Sequence, residues 1–326
     1  MNKHVVLYKK LSAPLMERLE AQAQVTLIDD PKGPDGIARL RDALPQADGL
    51  LGASLKLDAQ LLDLAPKLKA VSSVSVGVDN YDIDYLTSRG ILLTNTPDVL
   101  TETTADTGFA LIMATARRVV ELASMVRDGQ WTQNIGPKHF GTDVHGKKLG
   151  IIGMGRIGEA VAQRGHFGFG MPVIYHSHSR KPAVEARFNA QYRSLEALLQ
   201  EADFVCLTLP LTAETEGLIG AEQFAQMRPE TIFINIARGK VVDEQALIHA
   251  LQNKQIRAAG LDVFEREPIA ADSPLLKLDN VVATPHMGSA THETREAMAS
   301  CAVDNLLSAL AGERPANLVN EELWNR

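Results

Sequence analysis

Three polar residues of this chain each follow a short apolar run that reads as a buried strand. Arg238 follows residues 232–235, Glu267 follows residues 258–261, and His286 follows residues 281–283. Their types are complementary. The planar fork of an arginine suits a carboxylate or the oxygens of an α-keto acid. An imidazole exchanges its proton most readily near neutral pH, which makes His286 a candidate general acid and base. A carboxylate beside an imidazole orients it and favours its charged form, the part Glu267 could play. Glu267 precedes Pro268, so its backbone is extended rather than helical. His286 lies between Pro285 and Gly288, in a turn and not on a helix face. Singly, Arg238 reads equally as a surface arginine and His286 as an incidental histidine. Together, beyond three strands of one sheet, they read as an anion anchor, an acid–base group and the carboxylate that holds it.

The element that would gather them is a parallel sheet with a glycine-rich first turn. Residues 149–152 form an apolar strand that runs into Gly153-Met154-Gly155-Arg156-Ile157-Gly158 and then into a helix over 159–162. Gly153 would allow the tight turn, Gly155 would let the backbone approach a pyrophosphate, and Gly158 would let helix and strand pack closely. The first helical turn, with Arg156 and Ile157, offers N–H groups and a positive dipole end to phosphates. Such a motif alone is a weak signal. Here an apolar strand precedes it, an Ala-rich helix follows, and a second strand comes at 171–175. Ligands of open parallel sheets lie outside the carboxyl ends of the strands, which is where Arg238, Glu267 and His286 fall. The expected chemistry is hydride transfer between a nicotinamide and a ketone, with the histidine supplying a proton to the developing alkoxide.

NAD sites usually place an acid at the end of the second strand, for the ribose 2′-hydroxyl. This strand continues His176-Ser177-His178-Ser179-Arg180-Lys181, without an acid, and Ser177 stands where an aspartate would be expected. Ser177, Ser179 and Arg180, with His178 or Lys181, would welcome a 2′-phosphate. NADP(H) is therefore the expected cofactor, with NAD(H) as the second choice.

Strand-like and helix-like segments alternate almost throughout, the pattern of α/β architecture. A length of 326 residues exceeds one ordinary core. Before the glycine motif, strands are expected at 5–8, 25–28, 49–51, 70–73 and 91–94, with helices at 11–21 and 58–64. One long helix is expected over 102–127, followed by a polar arm over 128–148. Six strands then follow, at 150–152, 173–175, 204–207, 232–235, 258–261 and 281–283, and a last helix over 291–311 has the spacing to return to the first unit. The reading is two Rossmann-like domains, each a parallel sheet with helices on both faces. The nucleotide domain, 100–289, is inserted into a discontinuous flavodoxin-like substrate domain, 1–99 with 290–326.

A net charge of −7 argues against a nucleic-acid surface. No apolar run is long enough to span a bilayer. The first residues enter a strand without a signal-peptide cleavage pattern, and the two cysteines, Cys206 and Cys301, make no disulfide framework, so a cytoplasmic protein is expected. The run Asp79-Asn80-Tyr81-Asp82-Ile83-Asp84 lacks the glycine and terminal glutamate of a calcium loop and reads as a helix cap. His176 and His178 have no evident third ligand, and no metal is expected.

The chain resembles the D-isomer-specific 2-hydroxyacid dehydrogenases. The matching pieces are Ser75-Val76-Gly77-Val78-Asp79-Asn80, the glycine motif, Leu209-Pro210-Leu211-Thr212, Asn235-Ile236-Ala237-Arg238-Gly239, Gly260-Leu261-Asp262-Val263-Phe264, Glu267-Pro268 and Pro285-His286. They run in family order over nearly the whole chain. Residues 140–145 and 286–295 look like the glyoxylate/hydroxypyruvate and 2-ketogluconate reductase branch. The resemblance implies that His286 is the proton donor, that Glu267 holds it, and that Arg238 binds the substrate carboxylate and carbonyl. Backbone amides of Val76 and Gly77 would hold the carboxylate as well. Pro210, Ala237, Asp262 and Gly288 would join the glycine loop and residues 177–180 around the cofactor. It also implies a homodimer formed through the nucleotide domain, in which Trp131 and Phe140 would face the partner. The implied activity is reduction of glyoxylate, hydroxypyruvate or 2-ketogluconate to the D-2-hydroxy acid. The same scaffold also serves other small acids, namely D-3-phosphoglycerate, formate and phosphite, and dinucleotide-sensing corepressors. The latter carry added tails or peptide-binding segments that this chain lacks.

Overall fold

The computed structural model describes residues 3–324. The chain divides into two compact units. The first ends at Leu100 and resumes at Thr291, and the second runs from Thr101 to Ala290.

The first unit holds five strands, β1 (Lys3–Leu7), β2 (Ala23–Leu27), β3 (Gly49–Gly52), β4 (Ala70–Ser73) and β5 (Leu92–Thr94). They pair in the order β2-β1-β3-β4-β5, all parallel, which is the flavodoxin-like order. β3 and β4 are buried along their whole length, as strands covered on both faces must be. Leu7, Leu50 and Leu51 are each fully buried, and burial of each side chain contributes about 1.5–3 kcal/mol.

The helix His292–Ala311 covers this sheet. It begins where Thr291 Oγ1 accepts the Thr294 N–H at 3.2 Å, a cap that contributes about 1 kcal/mol. It ends at Gly312, whose φ of +81° suits the left-handed position that closes helices. Gly49 allows the close approach, because a Cβ there would sit 2.9 Å from Leu306 Cδ1. Ser72 Oγ donates to the Ala302 carbonyl at 2.8 Å. The chain that follows is sewn to β5, since Asn320 Oδ1 accepts the Leu93 N–H at 2.9 Å. Asp82 caps the helix Ile83–Ser88 by accepting the Tyr85 N–H at 3.0 Å, so the aspartate-rich run there does cap a helix.

The second unit holds β6 (Leu149–Ile152), β7 (Val173–His176), β8 (Gln191–Tyr192), β9 (Phe204–Leu207), β10 (Ile232–Asn235), β11 (Ala258–Leu261) and β12 (Val281–Ala283). Their order is β12-β11-β10-β9-β6-β7-β8, and every pair is parallel. The chain winds outward from β6 in one direction and from β9 in the other. The crevice between those two strands is where doubly wound sheets take a dinucleotide. Alternate strand residues serve two cores. Ile151, Tyr175, Cys206 and Ile234 pack with Phe109, Leu111 and Val161 on one face. Ile152, Ile174, Val205, Leu207 and Phe233 pack with Leu198, Phe224 and Leu247 on the other.

The structure corrects the sequence reading at three elements. Residues 102–127 form two helices, Thr101–Ala116 and Val119–Arg127, rather than one. Arg118 takes a φ of +54° between them. The arm that follows then folds back, and the Thr142 N–H donates to the Ala116 carbonyl at 2.8 Å. The apolar periodicity continues through the break and so hides it. The second sheet has a seventh strand, β8, only two residues long at the edge. The helix Pro34–Ala43 is an addition, for its opening Pro34-Asp35-Gly36 reads as a turn and it buries only Gly36 and Leu40. Among the described residues no helix is long and apolar enough to cross a membrane.

Candidate active site

The glycine loop joins β6 to the helix Arg156–Gln163, and its three glycines differ physically. Gly153 has a φ of +101°, and a Cβ there would lie 2.6 Å from the Leu209 amide nitrogen. A Cβ on Gly158 would lie 2.5 Å from the Gly153 carbonyl oxygen and 2.9 Å from Thr208 Oγ1. Thr208 Oγ1 donates to that same carbonyl at 2.7 Å, which ties the loop to the neighbouring strand. Gly155 is the contrast, because a Cβ there would meet nothing within 4 Å. Its missing side chain serves neither turn nor packing, and it leaves open space directly at the start of a helix without a side-chain cap. A pyrophosphate fits that vacant surface and the amides of the first turn, where the dipole favours an anion. Arg156 and Ile157 occupy that turn.

Beyond β7, Ser177 and Ser179 lie on the loop leading to the exposed Arg180. Arg180 Nε and Nη2 donate to the two oxygens of Glu185, at 3.0 and 2.5 Å. The Tyr175 hydroxyl donates to Glu185 at 2.6 Å and accepts the Lys181 N–H at 2.7 Å. Glu185 thus engages the Nε–Nη2 edge of the guanidinium.

Arg238, Glu267 and His286 are brought together from three neighbouring strands of the second sheet. His286 Nδ1 lies 2.6 Å from Glu267 Oε2, and Glu267 Oε1 accepts the Phe264 N–H at 3.1 Å. Burial of Glu267 favours its neutral form, but the hydrogen bond from His286 and the charges of His286 and Arg238 outweigh it and hold the carboxyl below its ordinary range. Arg238 follows β10 in extended conformation, and its Nη1 donates to the Ala237 carbonyl at 2.8 Å. Gly239 permits the approach of this loop to the next. A Cβ there would lie 1.8 Å from the Phe264 carbonyl carbon, only three residues before Glu267.

His286 takes a φ of +50°, a left-handed conformation rare outside glycine and asparagine. Such a backbone costs of order 1–3 kcal/mol and persists only where its surroundings hold it. Asp262 does so. It is 2 % exposed, Oδ1 accepts the Met287 N–H at 2.8 Å and the Thr284 hydroxyl at 2.7 Å, and Oδ2 accepts the Gly288 N–H at 2.8 Å. The residues on both sides of His286 are thus fastened to one buried carboxylate. Asp262, expected beside the cofactor, has both oxygens engaged in the histidine's own loop. Ala237 is buried and Pro210 exposed, at the ends of β10 and β9.

In the first unit, Val76 and Gly77 lie on the loop beyond β4. Asn95 Nδ2 donates to the Val76 carbonyl at 2.9 Å, and the Thr96 N–H donates to the Ser75 carbonyl at 2.9 Å, which fixes the loop by its carbonyl side. Glu185, Tyr175, Thr208 and Thr284 escaped the sequence reading. An acid five residues after Arg180 was a visible signal for Glu185. Thr208 and Thr284 act through bonds to residues 55 and 22 positions away, which spacing does not reveal, and Tyr175 reads from the sequence only as a strand residue.

Residues 109–288 match the family model described as D-isomer specific 2-hydroxyacid dehydrogenase, NAD binding domain. A glyoxylate/hydroxypyruvate reductase B of Klebsiella pneumoniae subsp. pneumoniae is 59% identical over 323 residues, which cover 99% of this chain and 100% of the relative. Among solved structures, a protein from Thermus thermophilus superposes with a TM-score of 0.89 at 43% identity, covering 97% of this chain and 99% of its own. The NADPH-dependent glyoxylate/hydroxypyruvate reductase of Sinorhizobium meliloti, solved with NADP and malonate, superposes with a TM-score of 0.86 at 32% identity, covering 98% of each chain. With a doubly wound sheet, a glycine loop open at Gly155 and a histidine held by a glutamate from the loop beyond the neighbouring strand, the chain belongs to the D-isomer specific 2-hydroxyacid dehydrogenase family.

Proposed function

We propose that this protein reduces small 2-keto acids, glyoxylate and hydroxypyruvate first among them, to D-2-hydroxy acids with NADPH. The contact of His286 Nδ1 with Glu267 Oε2 carries the reading. With Nδ1 donating to the carboxylate, Nε2 is the nitrogen left to give a proton to substrate. The bound nicotinamide supplies the hydride that the carbonyl carbon accepts. The carbonyl oxygen takes the proton of His286, so the keto acid, NADPH and one proton become the hydroxy acid and NADP+. Arg238 presents a forked cation to the substrate carboxylate and to the oxygen on which charge develops. The Val76 and Gly77 amides are proposed as further carboxylate donors, and Asp262 as the residue that positions His286. The NADPH-dependent reductase of Sinorhizobium meliloti, solved with NADP, and the loop 177–180 without an aspartate support NADP(H) over NAD(H).

We further propose a homodimer formed through the second unit. The helix Val119–Arg127 buries none of its residues. Val119, Val120, Val126, Trp131 and Phe140 are each more than half exposed, apolar side chains that a partner surface would cover. The two cysteines are unpaired, which suits a reducing compartment such as the cytoplasm.

The test is a panel of glyoxylate, hydroxypyruvate and 2-ketogluconate with NADPH and NADH, beside phosphite with NADP+ and NAD+. Turnover of the keto acids is expected, and His286→Ala should lower it by about 10²–10⁴-fold while NADPH still binds. A parent protein inert towards every keto acid, or full turnover by the variant, defeats the proposal.

A further inference from the structure

We propose that Glu185 is a positioning residue that presets Arg180 for a 2′-phosphate, and that Tyr175 in turn sets Glu185. The inference rests on the NADP(H) reading above and assigns the device behind it.

Tyr175 is fully buried in the sheet, with its ring edge-on to Tyr192 and its hydroxyl reaching the loop beyond β7. That hydroxyl is a junction. It donates to Glu185 Oε1 at 2.6 Å and accepts the Lys181 N–H at 2.7 Å, so one rigid side chain fixes both the loop backbone and the carboxylate. Glu185 Oε1 also accepts Arg180 Nε at 3.0 Å, and Oε2 accepts Nη2 at 2.5 Å. A guanidinium has two hydrogen-bonding edges. Glu185 engages the Nε–Nη2 edge, which leaves the Nη1–Nη2 edge as a fork for a second anion.

Two effects of opposite sign follow. An exposed arginine samples many rotamers, and ordering it on binding costs entropy; Glu185 has already ordered this one. Against that, a carboxylate near the site repels a phosphate. The side chain of Arg180 is 67% exposed, so water and salt screen a repulsion that acts across the whole guanidinium. Glu185 is moreover held charged by its bonds to Arg180 and Tyr175, and its charge is met there. The ordering effect prevails, and Ser177 and Ser179 on the same loop add neutral donors. The bond network therefore turns a surface arginine into a fixed fork, something a basic loop alone does not supply.

The experiment measures calorimetric binding of adenosine 2′,5′-bisphosphate and of 5′-AMP to the full chain, beside kcat/KM for NADPH and NADH. Glu185→Ala is expected to weaken the bisphosphate about three- to tenfold and to leave 5′-AMP unchanged. Glu185→Gln, which keeps the shape and one acceptor, should fall between. Tyr175→Phe should weaken the same ligand in the same direction, and NADPH should lose kcat/KM where NADH does not. On an Arg180→Ala background, Glu185→Ala should add nothing. Tighter bisphosphate binding by Glu185→Ala would show that the carboxylate competes with the phosphate, and an equal loss for both ligands would show a merely structural role; either overturns the proposal. A parent that does not prefer the bisphosphate overturns the NADP(H) reading and this one together, whereas a discriminating parent with an unaffected Glu185→Ala variant overturns this one alone.

Discussion

Glu267 and His286, 19 residues apart in sequence, meet at 2.6 Å because β11 and β12 are parallel neighbours whose ends carry them to the same level. The contact sets the state of the carboxylate. Burial works against the charge of Glu267, yet the imidazole's hydrogen bond and positive charge keep that carboxyl ionised below its ordinary range.

Glu267→Gln should lower kcat for keto-acid reduction, since it removes the carboxylate that orients the imidazole through Nδ1. The stability sign is separate. A carboxyl depressed in the folded state stabilises above its unfolded value, and that contribution is lost as pH falls through the folded value. The difference in melting temperature between parent and variant should accordingly shrink in acid, below the ordinary carboxylate range. An unchanged kcat in Glu267→Gln would remove Glu267 from the mechanism.

Asp262→Asn should impair catalysis without touching a reacting group. Its two oxygens accept two amide N–H groups and one hydroxyl. In either orientation an asparagine must point its NH₂ at one of those amides, donor against donor. Leaving a buried donor unpaired costs about 1–3 kcal/mol. That is comparable with what holds His286 at positive φ, so the histidine loop should relax. A melting temperature lowered together with kcat is the expected result. Unchanged kcat would mean that the loop holds itself.

Much of this could be read from the residues in order. Phe204–Leu207 and Ala258–Leu261 are continuous apolar runs between polar ends, and strands buried on both faces leave that trace. The glycine spacing and the pairing of Pro285 with His286 are local, so they too were legible. The break at Arg118 was not, because it depends on Thr142 returning to the Ala116 carbonyl, 26 residues away. The same holds at the site. Arg238, Glu267 and His286 announce themselves by type and place. The residues that aim them do so through bonds such as Asp262 to Gly288 and Gly239 against Phe264, and those exist only once the strands lie side by side.

Ser177→Asp should reverse the nucleotide preference. It would put a carboxylate at the end of β7, where a ribose 2′-hydroxyl is a partner and a 2′-phosphate is repelled. The ratio of kcat/KM for NADPH to that for NADH is expected to drop at least tenfold, equivalent to about 1.4 kcal/mol, with NADH gaining absolutely. An unchanged ratio, or a parent that already prefers NADH, would contradict the assignment of this loop.

The glycine loop offers a prediction in which stability and binding part company. Gly158 is needed for packing, since a Cβ there would press to 2.5 Å on the Gly153 carbonyl, a backbone atom that cannot swing aside. Overpacking of that kind typically costs about 1–3 kcal/mol, so Gly158→Ala should unfold at lower temperature. Gly155 has an ordinary φ of −92° and no neighbour within 4 Å of a Cβ. Gly155→Ala should therefore melt within about 0.5 kcal/mol of the parent, as surface substitutions do. Its methyl group would nevertheless occupy the space at the helix start where a pyrophosphate must come close to the backbone. Fluorescence titration with NADPH should show affinity lost in Gly155→Ala despite its intact fold. If Gly155→Ala binds NADPH as tightly as the parent, the open space beside it is not where the dinucleotide lies.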